Sequence, residues 1–167
     1  VNNAIKRKMH VVGNIVDKDY FQNEVKTNIT SDIQFFDGNN NLVTKNKYYQ
    51  NATCFLYPLM WDEPFGLVFL ESMACGTPVV AFARGAASEI IEDGKTGFLV
   101  NPSNKDKRGN WIIKKTGIDG LKEAANKIYS MDPKDYQKIR ENCRERIEKN
   151  FTDKIMAENY IKIYKKL

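Results

Sequence analysis

Histidine is nearly absent from this chain, cysteine is scarce, and there is no long apolar run. His10 is the only histidine among 167 residues. It stands beside Val11-Val12 and is read as a structural residue, which argues against histidine-based metal sites and a Ser/His/Asp triad. The three cysteines, Cys54, Cys75 and Cys143, are odd in number and widely spaced. No CxxC pair occurs, so neither a zinc site nor a redox motif is supported. Cys54 and Cys75 lie in apolar runs and read as small buried hydrophobes. A reducing, cytoplasmic setting is the expectation. No apolar stretch approaches the ~18 residues of a membrane span, and no signal-peptide pattern opens the chain. Internal repeats and low-complexity tracts are also missing.

What is present fits one domain over residues 1–167, on the usual prior of roughly 100–200 residues per domain. A chain of this size hides about 70% of its unfolded surface. The net charge of +5 is unevenly spread. Lys6, Arg7 and Lys8 form one cluster. Lys105, Lys107, Arg108, Lys114 and Lys115 form another, opposed only by Asp106. Patchy positive charge of this kind suits a phosphate-bearing ligand or an anionic membrane surface. Nucleic acid is not the expected partner, because no aromatic-and-basic groove pattern or helix-turn-helix pattern accompanies the charge. Trp111 within the basic loop makes that loop a candidate for peripheral contact with an anionic membrane.

Short apolar runs alternate with helical patterns. Strands are expected at Met9–Gly13, Ile33–Phe36, Cys54–Tyr57, Pro78–Phe82 and Phe98–Val100. Between them fall a polar helix from Asp17 to about Asn28 with Tyr20, Phe21 and Val25 on one face, a helix over Thr44–Ala52 starting near the Asn39–Asn41 turn, a helix over Phe65–Cys75, and a short one over Ala87–Glu92. This alternation predicts an α/β fold: a Rossmann-like parallel sheet with helices on both faces. The strands are continuously apolar, as doubly covered strands should be. After Pro102 the composition changes to a polar basic loop and then three helices, Ile118–Met131, Pro133–Asn150 and Thr152–Leu167. Their apolar stripes are read as core-facing: Leu121, Ala124, Ala125, Ile128; Tyr136, Ile139, Cys143, Ile147; and Ile155, Met156, Tyr160, Ile163, Tyr164.

The densest information lies in Glu63-Pro64-Phe65-Gly66-Leu67-Val68-Phe69-Leu70-Glu71-Ser72-Met73-Ala74-Cys75-Gly76-Thr77-Pro78-Val79-Val80. Two glutamates stand eight positions apart across a helix start. Phe65, Gly66, Leu67 and Val68 offer N–H groups that lack helical partners, and their aligned dipoles favour a diphosphate. Gly66 leaves bare backbone for a ligand to approach. Glu71 lies too far into the helix to meet a phosphate usefully, but it can accept hydrogen bonds from two vicinal ribose hydroxyls. Glu63, ahead of the helix, can reach the hydroxyls or the anomeric region of a sugar. In an open parallel sheet ligands sit beyond the carboxyl ends of the strands, where Gly13-Asn14, Gly38 to Lys45, Pro58 to Gly66 with Glu63, Arg84-Gly85 and Asn101 all fall.

This run resembles the donor-site signature of the family 4, or group 1, retaining glycosyltransferases. The resemblance extends from about His10 to the C-terminus and is densest over Tyr57–Val100. It includes Ala81-Phe82-Ala83-Arg84-Gly85, Glu89-Ile90-Ile91 and Asp93-Gly94-Lys95-Thr96-Gly97-Phe98-Leu99-Val100. It implies the carboxyl-terminal, nucleotide-sugar-binding half of a two-domain GT-B enzyme that uses no metal or other cofactor. Glu71 then looks like the ribose ligand and Glu63 like the donor-sugar ligand. Phe65, Gly66, Leu67 and Val68 look like backbone contacts to sugar and diphosphate. The loop from Asn40 to Lys45 looks like the edge of the base pocket. Ala86 departs from the family, where many relatives have a second glycine. A larger departure is at the start. Members open this domain with a further strand and helix carrying an Arg and a Lys that clamp the diphosphate, and Val1-Asn2-Asn3-Ala4-Ile5 resembles only the end of that helix. The resemblance therefore implies an excerpt, completed by an amino-terminal acceptor domain or by a partner chain and inactive alone. The absent strand would lie between the Met9 and Cys54 strands. A non-catalytic nucleotide-sugar-binding subunit and a sugar-nucleotide epimerase are the alternatives. A phosphorylase would need a lysine placed for pyridoxal phosphate, and none is identifiable.

Overall fold

The computed structural model describes residues 7–38 and 42–166. The fold is mixed α/β, with parallel sheets flanked by helices. The chain divides into two compact units, residues 1–48 and residues 49–167.

In the first unit, β1 (Met9–Gly13) and β2 (Ile33–Asp37) pair in parallel, from Met9 opposite Ile33 to Gly13 opposite Asp37. Between them the expected polar helix is broken into three kinds of turn. α1 (Lys18–Tyr20) passes into a π-turn at Phe21–Val25 and a 3₁₀ turn at Lys26–Asn28. Asp17 caps it, its Oδ1 accepting from the Tyr20 N–H at 2.8 Å. Phe21 packs edge-on against Phe35, with ring centroids 4.9 Å apart, whereas Tyr20 is exposed. Tertiary packing of an apolar face usually supplies most of a helix's stability. Phe21 and Val25, both half-buried, are the segment's two apolar anchors, and they hold it only weakly to regular α geometry. β1 also departs from the continuous burial expected of it. Its exposure alternates residue by residue, because successive side chains point to opposite faces and one face is open among the described residues. α2 (Leu42–Asn51) follows, and its last residues, from Tyr49 on, belong to the second unit.

The second unit is built on β3 (Phe55–Tyr57), β4 (Val79–Phe82) and β5 (Gly97–Val100), which pair in parallel in that order. β4 and β5 are buried at every position, as continuous apolar runs should be when both faces are covered. α3 (Leu67–Ala74) leads into β4, and α4 (Ala87–Ile90) lies between β4 and β5. α5 (Gly117–Tyr129) lies against β4 and β5, burying Leu121, Ala124, Ala125 and Ile128. α6 (Pro133–Asn150) packs on α3 with Ile139 and Cys143 buried. Phe69, Met73, Val79, Ala81, Ile90, Leu99 and Cys143 share one core cluster.

The helix boundaries follow local chemistry. α3 ends in a Schellman turn: the Thr77 N–H donates to the Ser72 carbonyl and the Gly76 N–H to that of Met73, both at 2.9 Å. α6 begins with Pro133 in its first turn and the Asp132 carboxylate accepting from the Lys134 N–H at 2.8 Å. α6 also fastens the two short helices. Arg144 donates to the last carbonyl of α3, Ala74, at 3.1 Å. Arg146 donates to the Ile90 carbonyl at 2.5 Å and that of Glu89 at 2.6 Å, and pairs with Glu92. Positive charge at those carbonyl ends also complements the helix dipoles.

One expected stripe does not pack. In α7 (Asp153–Tyr164), Met156, Tyr160, Ile163 and Tyr164 are exposed, and only Ile155 is half-buried. The periodicity is real, but no described element covers that face. Cys54 and Cys75 are partly rather than fully buried, and all three thiols are free.

Candidate functional site

α3 starts two residues later than the sequence suggests. Phe65 and Gly66 precede it, and Gly66 takes the capping position with φ +79°. That left-handed backbone favours glycine, and a Cβ there would also lie 2.4 Å from the buried Phe69 ring. The structure thus gives Gly66 a conformational role that does not depend on a ligand. Among the described residues the N–H groups of Leu67 and Val68 have no protein acceptor. Gly66 differs: its N–H donates to Glu63 Oε1 at 3.0 Å, so the expectation of four open donors is corrected by one. The Phe65 and Leu67 side chains are exposed, and Val68 is half-buried.

The two signature glutamates are half-buried on either side of this helix start, and each receives a tyrosine hydroxyl. Tyr57 donates to Glu63 Oε2 at 2.9 Å, so both oxygens of Glu63 are engaged. Tyr49 donates to Glu71 Oε2 at a longer 3.4 Å. Burial raises the pKa of the Tyr49 hydroxyl, and the neighbouring Glu71 carboxylate raises it further. Tyr57 shifts the same way, first through burial and then through its bond to Glu63. Neither tyrosine stands out in the sequence as a site residue. The only sign is their position, Tyr57 at the end of β3 and Tyr49 near the end of the preceding helix.

The loops that follow the three strands are tied together. The Ala86 N–H donates to the Glu63 carbonyl at 2.8 Å. A Cβ on Gly85 would lie 2.2 Å from that carbonyl oxygen. Arg84 joins Asp106 at 2.6 Å and Asp62 at 3.4 Å, and Arg108 pairs with both aspartates. The Arg108 guanidinium beside Asp106 holds its carboxyl below the usual carboxylate range. Asn101, at the end of β5, accepts from the Arg108 N–H at 2.7 Å and donates to the Gly109 carbonyl at 2.9 Å. Within the second unit, sequence and structure therefore gather the Glu63, Arg84 and Asn101 segments at one end of the sheet.

The base-pocket residues have a different outcome. Asn40 lies outside the described residues. Lys45 stands in the first turn and a half of α2 rather than in a loop, within the unit of residues 1–48. In the basic loop, Arg108 is held by Asp62 and Asp106, Lys115 pairs with Glu123 at 3.7 Å, and Lys114 donates to Asn110 and to the Trp111 carbonyl. The Trp111 ring packs against the core cluster. Lys105 and Lys107 make no ion pair among the described residues. Among those residues no group of three or more His, Cys, Asp or Glu could hold a metal ion, and no helix is long and apolar enough to cross a membrane.

The helix start flanked by two carboxylates lies at the carboxyl end of a parallel sheet, and comparison with known proteins identifies the family. Residues 2–108, well over half of the chain, match glycosyl transferases group 1, and the chain belongs to that family. It is 36% identical over 117 residues to alpha-1,3/1,6-mannosyltransferase ALG2 of Dictyostelium discoideum, covering 70% of this chain and 24% of that protein. It is 35% identical over 116 residues to alpha-maltose-1-phosphate synthase of Mycolicibacterium smegmatis, covering 70% of this chain and 28% of the relative. The chain thus spans about a quarter of the length of these relatives. A glycosyltransferase of Rickettsia africae superposes with a TM-score of 0.77 at 24% identity, over 96% of this chain and 40% of that one. Anabaena HepE, solved in complex with UDP-glucose, gives 0.71 at 20% identity over 96% of this chain and 41% of that one. At those identities the two structures show the fold.

Proposed function

We propose that this chain is the donor-binding part of a longer group 1 glycosyltransferase, and that it binds a nucleoside-diphosphate sugar for transfer with retained anomeric configuration. The observation that carries this reading is the start of α3. There the open N–H groups of Leu67 and Val68 stand between the carboxylates of Glu63 and Glu71. The UDP-glucose complex of HepE supports the ligand class.

In this reading the diphosphate rests on the helix N-terminus, whose partial positive charge is fixed before the reaction begins. As the bond from the anomeric carbon to the diphosphate oxygen breaks, negative charge grows on that oxygen, and the helix dipole stabilises it most at that point. The acceptor oxygen bonds to the same face of the anomeric carbon, and its hydroxyl proton passes to the departing diphosphate oxygen. Glu71 accepts from the ribose hydroxyls, and Glu63 lies on the sugar side. Backbone dipoles, together with basic groups outside these residues, carry the charge without a metal. The remainder of the longer protein supplies the acceptor site.

Calorimetry tests the assignment. Glu71→Ala should weaken nucleoside-diphosphate binding by about 1–3 kcal/mol, the cost of losing hydrogen bonds to a charged group. Glu63→Ala should reduce turnover in the full-length enzyme far more than affinity for the free diphosphate. Unchanged affinity in a folded Glu71→Ala variant would remove that residue from the site.

A further inference from the structure

Both signature carboxylates meet a tyrosine hydroxyl, that of buried Tyr49 and that of Tyr57, which is half-buried against the core cluster. Tyr49 is 9% exposed, and its carbonyl accepts from the buried Thr77 hydroxyl at 2.6 Å. Its ring meets Phe55 edge-on at 5.4 Å, Phe55 lies 5.8 Å from Tyr57, and Tyr57 meets the fully buried Phe69 edge-on at 4.9 Å. A continuous aromatic row thus runs from α2 through β3 to α3, and its two hydroxyls come out beneath Glu71 and Glu63. A carboxylate side chain on a helix start has several accessible rotamers. A hydroxyl fixed by packed rings selects one of them.

We infer that Tyr57 and Tyr49 are positioning residues, each acting through its own glutamate. Tyr57 sets Glu63 for the donor sugar, and Tyr49 sets Glu71 for the ribose. This inference rests on the roles proposed above for the two glutamates. It assigns to the tyrosines a separable effect on two different parts of one ligand. The 2.9 Å bond from Tyr57 should matter more than the 3.4 Å contact from Tyr49.

The test uses the full-length protein and calorimetry with UDP, GDP and ADP, their 2′-deoxyribose counterparts and their glucose and mannose conjugates. Two ratios are read for the base that binds best: ribose over deoxyribose, and sugar conjugate over free diphosphate. Tyr→Phe keeps each ring and removes only the hydroxyl. Tyr57→Phe should lower the sugar-conjugate ratio about fivefold and leave the ribose ratio unchanged, whereas Tyr49→Phe should lower the ribose ratio about threefold and leave the sugar ratio unchanged. Tyr57→Phe should have no effect in a Glu63→Ala background, nor Tyr49→Phe in a Glu71→Ala background. Equal losses on all ligands would mean a merely structural role and overturn the inference. So would effects that persist without the partner glutamate, or a phenylalanine variant that fails to fold. The glutamate variants separate the two levels. If Glu71→Ala and Glu63→Ala shift their ratios but the phenylalanine variants do not, only this inference fails. If the glutamate variants shift neither ratio, or no nucleotide binds, the proposed function fails with it.

Discussion

Replacing Gly85 by alanine tests how the loops at the end of the sheet hold Glu63. Gly85 has φ +52°, and a Cβ there would lie 2.2 Å from the Glu63 carbonyl oxygen, 2.4 Å from its nitrogen and 2.8 Å from the Asp62 carbonyl carbon. All three are backbone atoms, which cannot swing aside as a side chain can. Two costs therefore add. The left-handed backbone costs a residue with a Cβ about 1–2 kcal/mol. Forcing the Asp62–Glu63 backbone outward costs roughly 1–3 kcal/mol more, as overpacking generally does, and strains the Ala86 to Glu63 bond. Gly76→Ala is the control. It has nearly the same kind of backbone, at φ +72°, but its Cβ would stand 3.5 Å from the nearest atom, an ordinary contact. Gly76→Ala should then lose only the first term, and Gly85→Ala both. Urea denaturation followed by tryptophan fluorescence reads the difference, since Trp61 and Trp111 both lie in the unit of residues 49–167. Gly85→Ala should also weaken binding of a nucleotide sugar relative to its diphosphate, because Glu63 moves with its backbone. Equal destabilisation by the two substitutions would refute the argument that close backbone approach is what constrains Gly85.

Arg146→Met should destabilise the protein by about 2–4 kcal/mol in urea denaturation, because it removes donors to the Glu89 and Ile90 carbonyls and the partner of Glu92; a loss below 0.5 kcal/mol would make the capping role negligible. Burial pushes the Cys143 thiol up to about 12 and that of Cys54 up to about 11. The folded state therefore keeps these protons at pH values where the unfolded chain releases them. Stability should fall from about pH 9 towards 11, at up to about 1.4 kcal/mol per pH unit for each thiol, and Cys143→Ala should flatten part of that slope. Tyr160→Ser on α7 should change stability by less than about 0.5 kcal/mol, since the side chain is 56% exposed. A large loss there, measured by thermal unfolding, would show that the face is covered in the native protein.

The sequence alone determined the α/β class, the five strands to within a residue or two, the Pro133 helix start and the Gly76 stop. It also located the glutamate pair across a helix N-terminus. These are local properties: periodicity, capping chemistry and turn residues act over a few positions, so they can be read along the chain. The family followed from the same local signature, because its residues are close in sequence. Tertiary structure decided the rest. The π and 3₁₀ turns after Tyr20 arise because too little packs against that segment, and the exposed stripe of α7 has the right period but no described partner. The Arg84, Arg108, Asp62 and Asp106 cluster joins residues up to 46 positions apart. The tyrosine hydroxyls under Glu63 and Glu71 depend on how Tyr49, β3 and α3 pack within the second unit. Neither periodicity nor capping encodes which side chains from distant segments come within hydrogen-bonding distance; packing sets that, and only the folded chain has it.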